Sequence, residues 1–183
     1  LNGKVTASGG FSSAGKKTFD NTGGAITTTD SAITIDHSGA VKVGGALSSG
    51  AGDVDIDSTS TVALNNSITT TSGQVSIDAS GQTTVAEAGD ITAGGAVIFG
   101  ANKSGTLTTA SEITTTDDNV TFTNAVTLQG DVAIDTGGTS AGNILFSSTV
   151  ATAGKSLTLD AGAKGNITVA SSITGGGAMT VTD

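Results

Sequence analysis

The chain of 183 residues has no proline, cysteine, tryptophan, tyrosine or arginine, and only one histidine and one methionine. Each absence closes off a class of structure or partner. Without cysteine there are neither disulfides nor thiolate metal sites. Seven lysines stand against sixteen acidic residues, for a net charge of −9. Such a chain lacks the basic surface that nucleic acids and anionic membranes require. No apolar run approaches the roughly 18 residues of a membrane-spanning helix, so membrane insertion by this segment is not expected. Aromatic residues amount to 3%, too few for a conventional globular core.

Glycine (28 residues), threonine, serine and alanine dominate, yet 36% of the chain is hydrophobic, well above what ordinary disorder shows. The two facts together fit a narrow core filled by β-branched and aliphatic side chains. The length is that of one domain, read here as a single repeat domain over residues 1–183.

A repeat organises that domain. Ile33-Ile35-Asp36, Val54-Ile56-Asp57 and Val75-Ile77-Asp78 open successive units 21 residues apart. Each unit carries three apolar stations. The A stations are Phe11, Ile33, Val54, Val75, Val97, Val120, Ile144 and Ile167, spaced by 22, 21, 21, 22, 23, 24 and 23 residues. The B stations are Phe19, Val41, Val62, Thr83, Leu107, Val126, Val150 and Ile173. The C stations run Val5, Ile26, Leu47, Ile68, Ile91, Ile113, Val132, Leu157 and Met179. Each station alternates apolar and polar residues with period two, the pattern of a strand with one face in and one out. Corners such as HSGA, SGAGD, GANKSG and TGGTSAGN separate them, rich in the residues that tight turns need. No helical periodicity occurs. The reading is all-β: a parallel β-helix, a three-sided solenoid of about eight coils of 21–24 residues.

One column tests the register independently. The second inward position of the A strands reads Ile35, Ile56, Ile77, Phe99, Phe122, Phe146, Val169. All five phenylalanines fall on inward columns, and none of the charged residues does. The register is least defined from Val120 to Asp160, where corners shorten and then lengthen, and a local slip would relabel the strands there without changing the coil length. A single coil cannot bury enough apolar surface to offset the ordering of its backbone. Neighbouring coils must close the core, as in other solenoids. Neither end carries a polar cap, which points to a segment of a longer repetitive protein or to coils stacking end to end between subunits. The absence of a signal peptide points the same way, to a mature or excised piece.

The stretches NVTFTNAVTLQGDVAIDTGG, GNILFSSTV, SLTLDAGAKGNITV and SSITGGGAMTV resemble the repeats of large bacterial secreted adhesins of the filamentous-haemagglutinin-like and autotransporter type. The resemblance runs over the whole chain through degenerate repeats. It implies a right-handed parallel β-helix, displayed outside the cell or on the bacterial surface, serving as a stalk or adhesive scaffold. A host or surface glycan is the partner it suggests. The 183 residues depart from a complete member of that family in containing neither its N-terminal secretion domain nor a membrane barrel, which leaves the secretion route open.

Few residues invite chemistry. Asp36, Asp57 and Asp78 should stack in a column at the corner after the A strand. Stacked carboxylates repel, and calcium would relieve that; a solvated, locally hydrogen-bonded corner is the alternative. The glycine-rich nonapeptide of calcium-binding repeats is absent. Three triplets, Thr27 to Thr29, Thr69 to Thr71 and Thr114 to Thr116, suggest an outward threonine array of the ice-binding kind, interrupted at Ser48-Ser49 and Thr92-Ala93. A polysaccharide-active site would want clustered carboxylates or a carboxylate with a base, and aromatic sugar platforms. With every phenylalanine inward and every corner short, no enzyme is expected, and a carbohydrate-binding β-helix is the second reading. His37, alone, cannot build a zinc site and is expected on a solvated corner. The sequons at Asn65, Asn102, Asn119 and Asn166 are what a Ser/Thr-rich chain produces by chance. The sequence thus leads to a non-catalytic structural scaffold, without cofactors.

Overall fold

The structure, a computed structural model, describes residues 1–140 and 142–182. Among them there is no helix, and every strand pairing is parallel. The chain winds through three sheets in rotation, so that each strand pairs with the strand three places on. The A strands form an eight-stranded sheet, the B strands a second of eight, and the C strands one of nine. The result is a three-sided β-solenoid of about eight turns.

Strands are two to five residues long because the corners come so often. In Val41–Val43, Val62–Leu64 and Val97–Phe99 both outer residues are buried and the middle one is partly exposed. This is the period-two alternation of a strand lying on a core. The interior is one continuous apolar column from Phe19 to Ala161. Its length is ~40 Å at the strand spacing. In the last coil the cover thins: Ile167, Val169 and Ile173 are half-buried, and Met179 and Val181 are exposed.

The A-face column holds its register throughout. Ile35 pairs with Ile56, Ile56 with Ile77, Ile77 with Phe99, and the series runs on through Phe122 and Phe146 to Val169. Phe99, Phe122 and Phe146 stack with centroids 5.4 and 4.6 Å apart and rings within 5° of parallel. Phe11 and Phe19 meet edge to face at 6.2 Å.

The C face does slip, within the stretch where the sequence leaves the register open. Ile113 pairs with Ile134, not with Val132, and Thr114 pairs with Asp135. Val132 instead begins a longer strand, Val132–Asp135, and pairs onward with Leu157. The displacement is two residues, so Val132 and Ile134 both remain buried. Side-chain parity is preserved, and the core loses nothing.

Candidate functional site

The A strands Ile33–His37, Val54–Ser58 and Val75–Ala79 are among the longest of the solenoid. Each runs past its Asp to a further inward residue. Asp36, Asp57 and Asp78 therefore lie within the strands, not on the corner beyond them, and point outward. Asp36 pairs with Asp57 and Asp57 with Asp78. Parallel, in-register pairing stacks these like charges at the strand spacing of about 4.8 Å. Asp55, two residues before Asp57, faces the same way. Burial pushes its carboxyl above the ordinary value, and repulsion from Asp57, Asp78 and Asp36 adds to that.

The chain supplies its own counter-charge. The Lys103 ammonium lies 2.6 Å from Asp57 Oδ1, with both side chains two-thirds or more covered. Asn102 donates its backbone N–H to Asp78 Oδ1 at 3.2 Å and its side-chain amide to Asp78 Oδ2 at 3.0 Å. Asp78 is only 1% exposed. The solvated surface expected for the column is thus present at Asp36 and gone at Asp78, because the corner from Gly100 to Gly105 folds over it.

Among the described residues, no three His, Cys, Asp or Glu side chains converge as metal ligands would. The reason is geometric. A straight column sets carboxylates along a line, whereas calcium gathers six to eight oxygens around a point at 2.3–2.6 Å. The exposed Asp36 and the second oxygen of Asp57 are what the column would offer a cation.

The threonine triplets divide by strand parity. Thr28, Thr70 and Thr115 turn inward at the end of their strands and donate to the carbonyls of Ser31, Gly73 and Asp118, each at 2.5 Å. Ser49 and Thr136 do the same toward Gly52 and Gly142. These hydroxyls cap corners; they are not a surface array. Outward hydroxyls form a column one residue wide, Thr6, Thr27, Ser48, Thr69, Thr92, Thr114. It is unbroken at Ser48 and Thr92, where the sequence suggested gaps, and ends at Asp135.

His37 is also turned inward, contrary to the expected solvated corner. Strand Ile33–His37 ends on an inward position, and the ring is 8% exposed. Nδ1 lies 2.7 Å from the Lys17 carbonyl and Nε2 3.0 Å from Ser13 Oγ. A carbonyl only accepts, so Nδ1 carries a proton and donates to it, while Nε2 shares a hydrogen bond with the serine hydroxyl. The ring also packs on Phe19 at 5.6 Å. His37 is thus a satisfied, inward strand-end residue.

Sequence reasoning missed an asparagine ladder. Asn119 Oδ1 accepts both the backbone N–H and the side-chain amide of Asn143, at 2.8 and 2.9 Å. Asn143 Oδ1 does the same for Asn166, at 2.9 and 3.2 Å. The signal was available, since all three immediately precede an A station. Two of the four sequons thus sit on a structural ladder. Elsewhere, Asp53, Asp90 and Asp131 accept a backbone N–H from the next coil in the same manner.

Among the described residues the surface has no pocket, and no helix is long and apolar enough to cross a membrane. Comparison of the chain with protein-family models, with curated proteins and with solved structures gave no match.

Proposed function

We propose that this chain is a non-catalytic structural rod, a stalk or scaffold segment of an extracellular or bacterial cell-surface adhesin or fibre. The observation that carries the reading is where the functional groups go. His37, the corner threonines, most of the corner aspartates and the asparagine ladder are all bonded to the backbone of their own or an adjacent coil. All five phenylalanines face inward, which leaves no aromatic platform for a sugar. Chemistry-bearing side chains are thus spent on holding coils together. Three parallel ladders along one axis resist bending, and that mechanical property is the activity proposed. The location outside the cell rests on the resemblance to secreted adhesin repeats. End-to-end contact with further coils or subunits belongs to the same proposal, through the parallel strand edges of the outermost coils.

The test is a binding and activity screen of the whole chain against bacterial and host polysaccharides, by calorimetry and by release of reducing ends. The expected result is neither heat nor product. Saturable binding of one polysaccharide with a Kd below about 1 mM, some −4 kcal/mol, would replace the scaffold with a carbohydrate-binding β-helix. Product release would replace it with an enzyme.

A further inference from the structure

The corner from Gly100 to Gly105 differs from the others in reach. Most hydrogen bonds between coils join a residue to the adjacent one, about 22 positions away. Lys103 and Asp57 are 46 positions apart, so the ammonium passes the coil of Asp78 and binds two coils down. On the way, Asn102 grips Asp78 through both its backbone and its side chain. The two contacts fall on successive members of the acid column.

Both ends of this corner depend on glycine. Gly100 has φ of +76°, and a Cβ there would overlap the Asn124 side chain. A Cβ at Gly105 would overlap the Gly81 carbonyl oxygen. Glycine therefore lets the chain leave the solenoid and rejoin it close against the backbone of the neighbouring coil. Between these two points only side-chain contacts and the bond from Asn102 N to Asp78 hold the segment down. The Gly105 N–H, bonded to the Ala79 carbonyl at 3.2 Å, closes it.

The charge pattern beneath is one-sided. Asp36, Asp55, Asp57 and Asp78 share the outward face of three successive A strands, the corner touches Asp57 and Asp78, and Lys103 is the cation beside them. Burial raises the Asp55 carboxyl, and repulsion from Asp57, Asp78 and Asp36 adds to it; that repulsion is relieved at Asp57 by one side chain that the corner itself carries.

We propose that the Gly100–Gly105 corner is a charge-locked strap, held over the acid column by Lys103 and released when that charge is screened or removed. The strap and the column depend on each other: opening it uncovers Asp78 and leaves four carboxylates without their counter-ion. Release exposes a line of acid on one face of the rod while the three ladders stay intact. This device is independent of the scaffold reading, since it concerns one corner whatever the rod carries.

The test is residue-resolved amide hydrogen exchange on the whole chain, reading the Asn102 and Gly105 amides, with the Thr123 amide of the next coil as control. Lys103→Met should speed exchange at both reporters about two- to fivefold, the effect expected of an ion pair near a surface. Lys103→Asp should speed it further, since the strap is then repelled. Raising NaCl from low concentration to about 1 M should speed the wild type and leave Lys103→Met little changed, because the Debye length falls to roughly 3 Å. The exchanged pair, Asp57→Lys with Lys103→Asp, should return the rate toward that of the wild type. Equal exchange in wild type and Lys103→Met, or equal rates in Lys103→Met and Lys103→Asp, would overturn the lock. Faster exchange at Thr123 in step with the reporters would overturn it too, because the coil and not the strap would be opening.

Discussion

The ring of Phe122 lies 4.6 Å from that of Phe146 on the adjacent coil, within 5° of parallel. Its other face meets Phe99 at 5.4 Å. Phe122 is therefore the middle of a three-ring stack, set apart along the core from the edge-to-face pair of Phe11 and Phe19.

Removing the middle ring leaves a cavity that a parallel ladder cannot collapse, since the strand spacing is fixed by hydrogen bonds. Phe122→Ala should lower stability by about 3–5 kcal/mol. Its outward neighbour Thr121 offers the control: Thr121→Ala should stay within about 0.5 kcal/mol of the wild type. Urea unfolding of both variants measures the contrast, and similar losses would mean that the rings do not stack inside.

Thr69 and Thr70 are adjacent and chemically identical, yet one faces water and the other caps a corner through the Gly73 carbonyl. Valine keeps the shape and deletes the donor. Thr70→Val should cost about 0.5–1.5 kcal/mol, the net worth of one hydrogen bond, since the Gly73 carbonyl keeps its bond from the Gly95 N–H. Thr69→Val should be close to neutral. Thermal unfolding of the pair separates corner capping from a surface array, for which the order would reverse.

Acid should act on the carboxylates in opposite senses. Burial and repulsion raise Asp55 above its ordinary 3.8. A raised carboxyl binds more protons folded than unfolded. Its contribution is full below pH 3.8 and is lost as pH rises through the folded value. Backbone and side-chain donors from Ser140 and Thr139 hold Asp117 below 3.8, and Thr22 does so for Asp20. Their contribution is present above pH 3.8 and is lost as pH falls through the lowered values. Asp55→Asn should thus stabilise the protein at pH 7, with an advantage that shrinks on acidification toward pH 4. Denaturant midpoints for both proteins across that range provide the measurement. An advantage that grows on acidification would contradict the assigned direction.

Calcium should leave the melting temperature unchanged, because Lys103 and Asn102 already serve Asp57 and Asp78. Scanning calorimetry with millimolar calcium and with chelator checks this. A rise that follows the logarithm of calcium concentration, as binding to the folded state requires, would put the cation on the Asp36–Asp57–Asp78 column after all.

The fold was legible because its cause is local and repeated. Ile35, Ile56 and Ile77 declare one column by spacing alone, and a wrong register would have put charges inside. Parity could be read from the sequence, and it places Thr70 and His37 inward. From sequence alone Thr70 is set in an outward array and His37 on a solvated corner, because the inward alternation is stopped one step before the end of each strand. The slip at Val132 is invisible to such a pattern, since a displacement of two residues keeps every side chain on its own side. The Lys103–Asp57 contact was out of reach for a different reason: it depends on the path of a glycine-ended corner across two coils, which no periodicity encodes.

That slip sets a rule for how such a chain tolerates editing. Pairs of residues can be gained or lost inside a strand, as at Val132, while the inside remains the inside. A single residue placed there would invert every side chain up to the next turn, sending Ile134 to water and Asp135 into the apolar interior. Odd changes of length must therefore be absorbed at the corners, where no alternation has to be kept. Coil lengths of 21, 22, 23 and 24 residues coexist in one rod because the corners serve as its expansion joints.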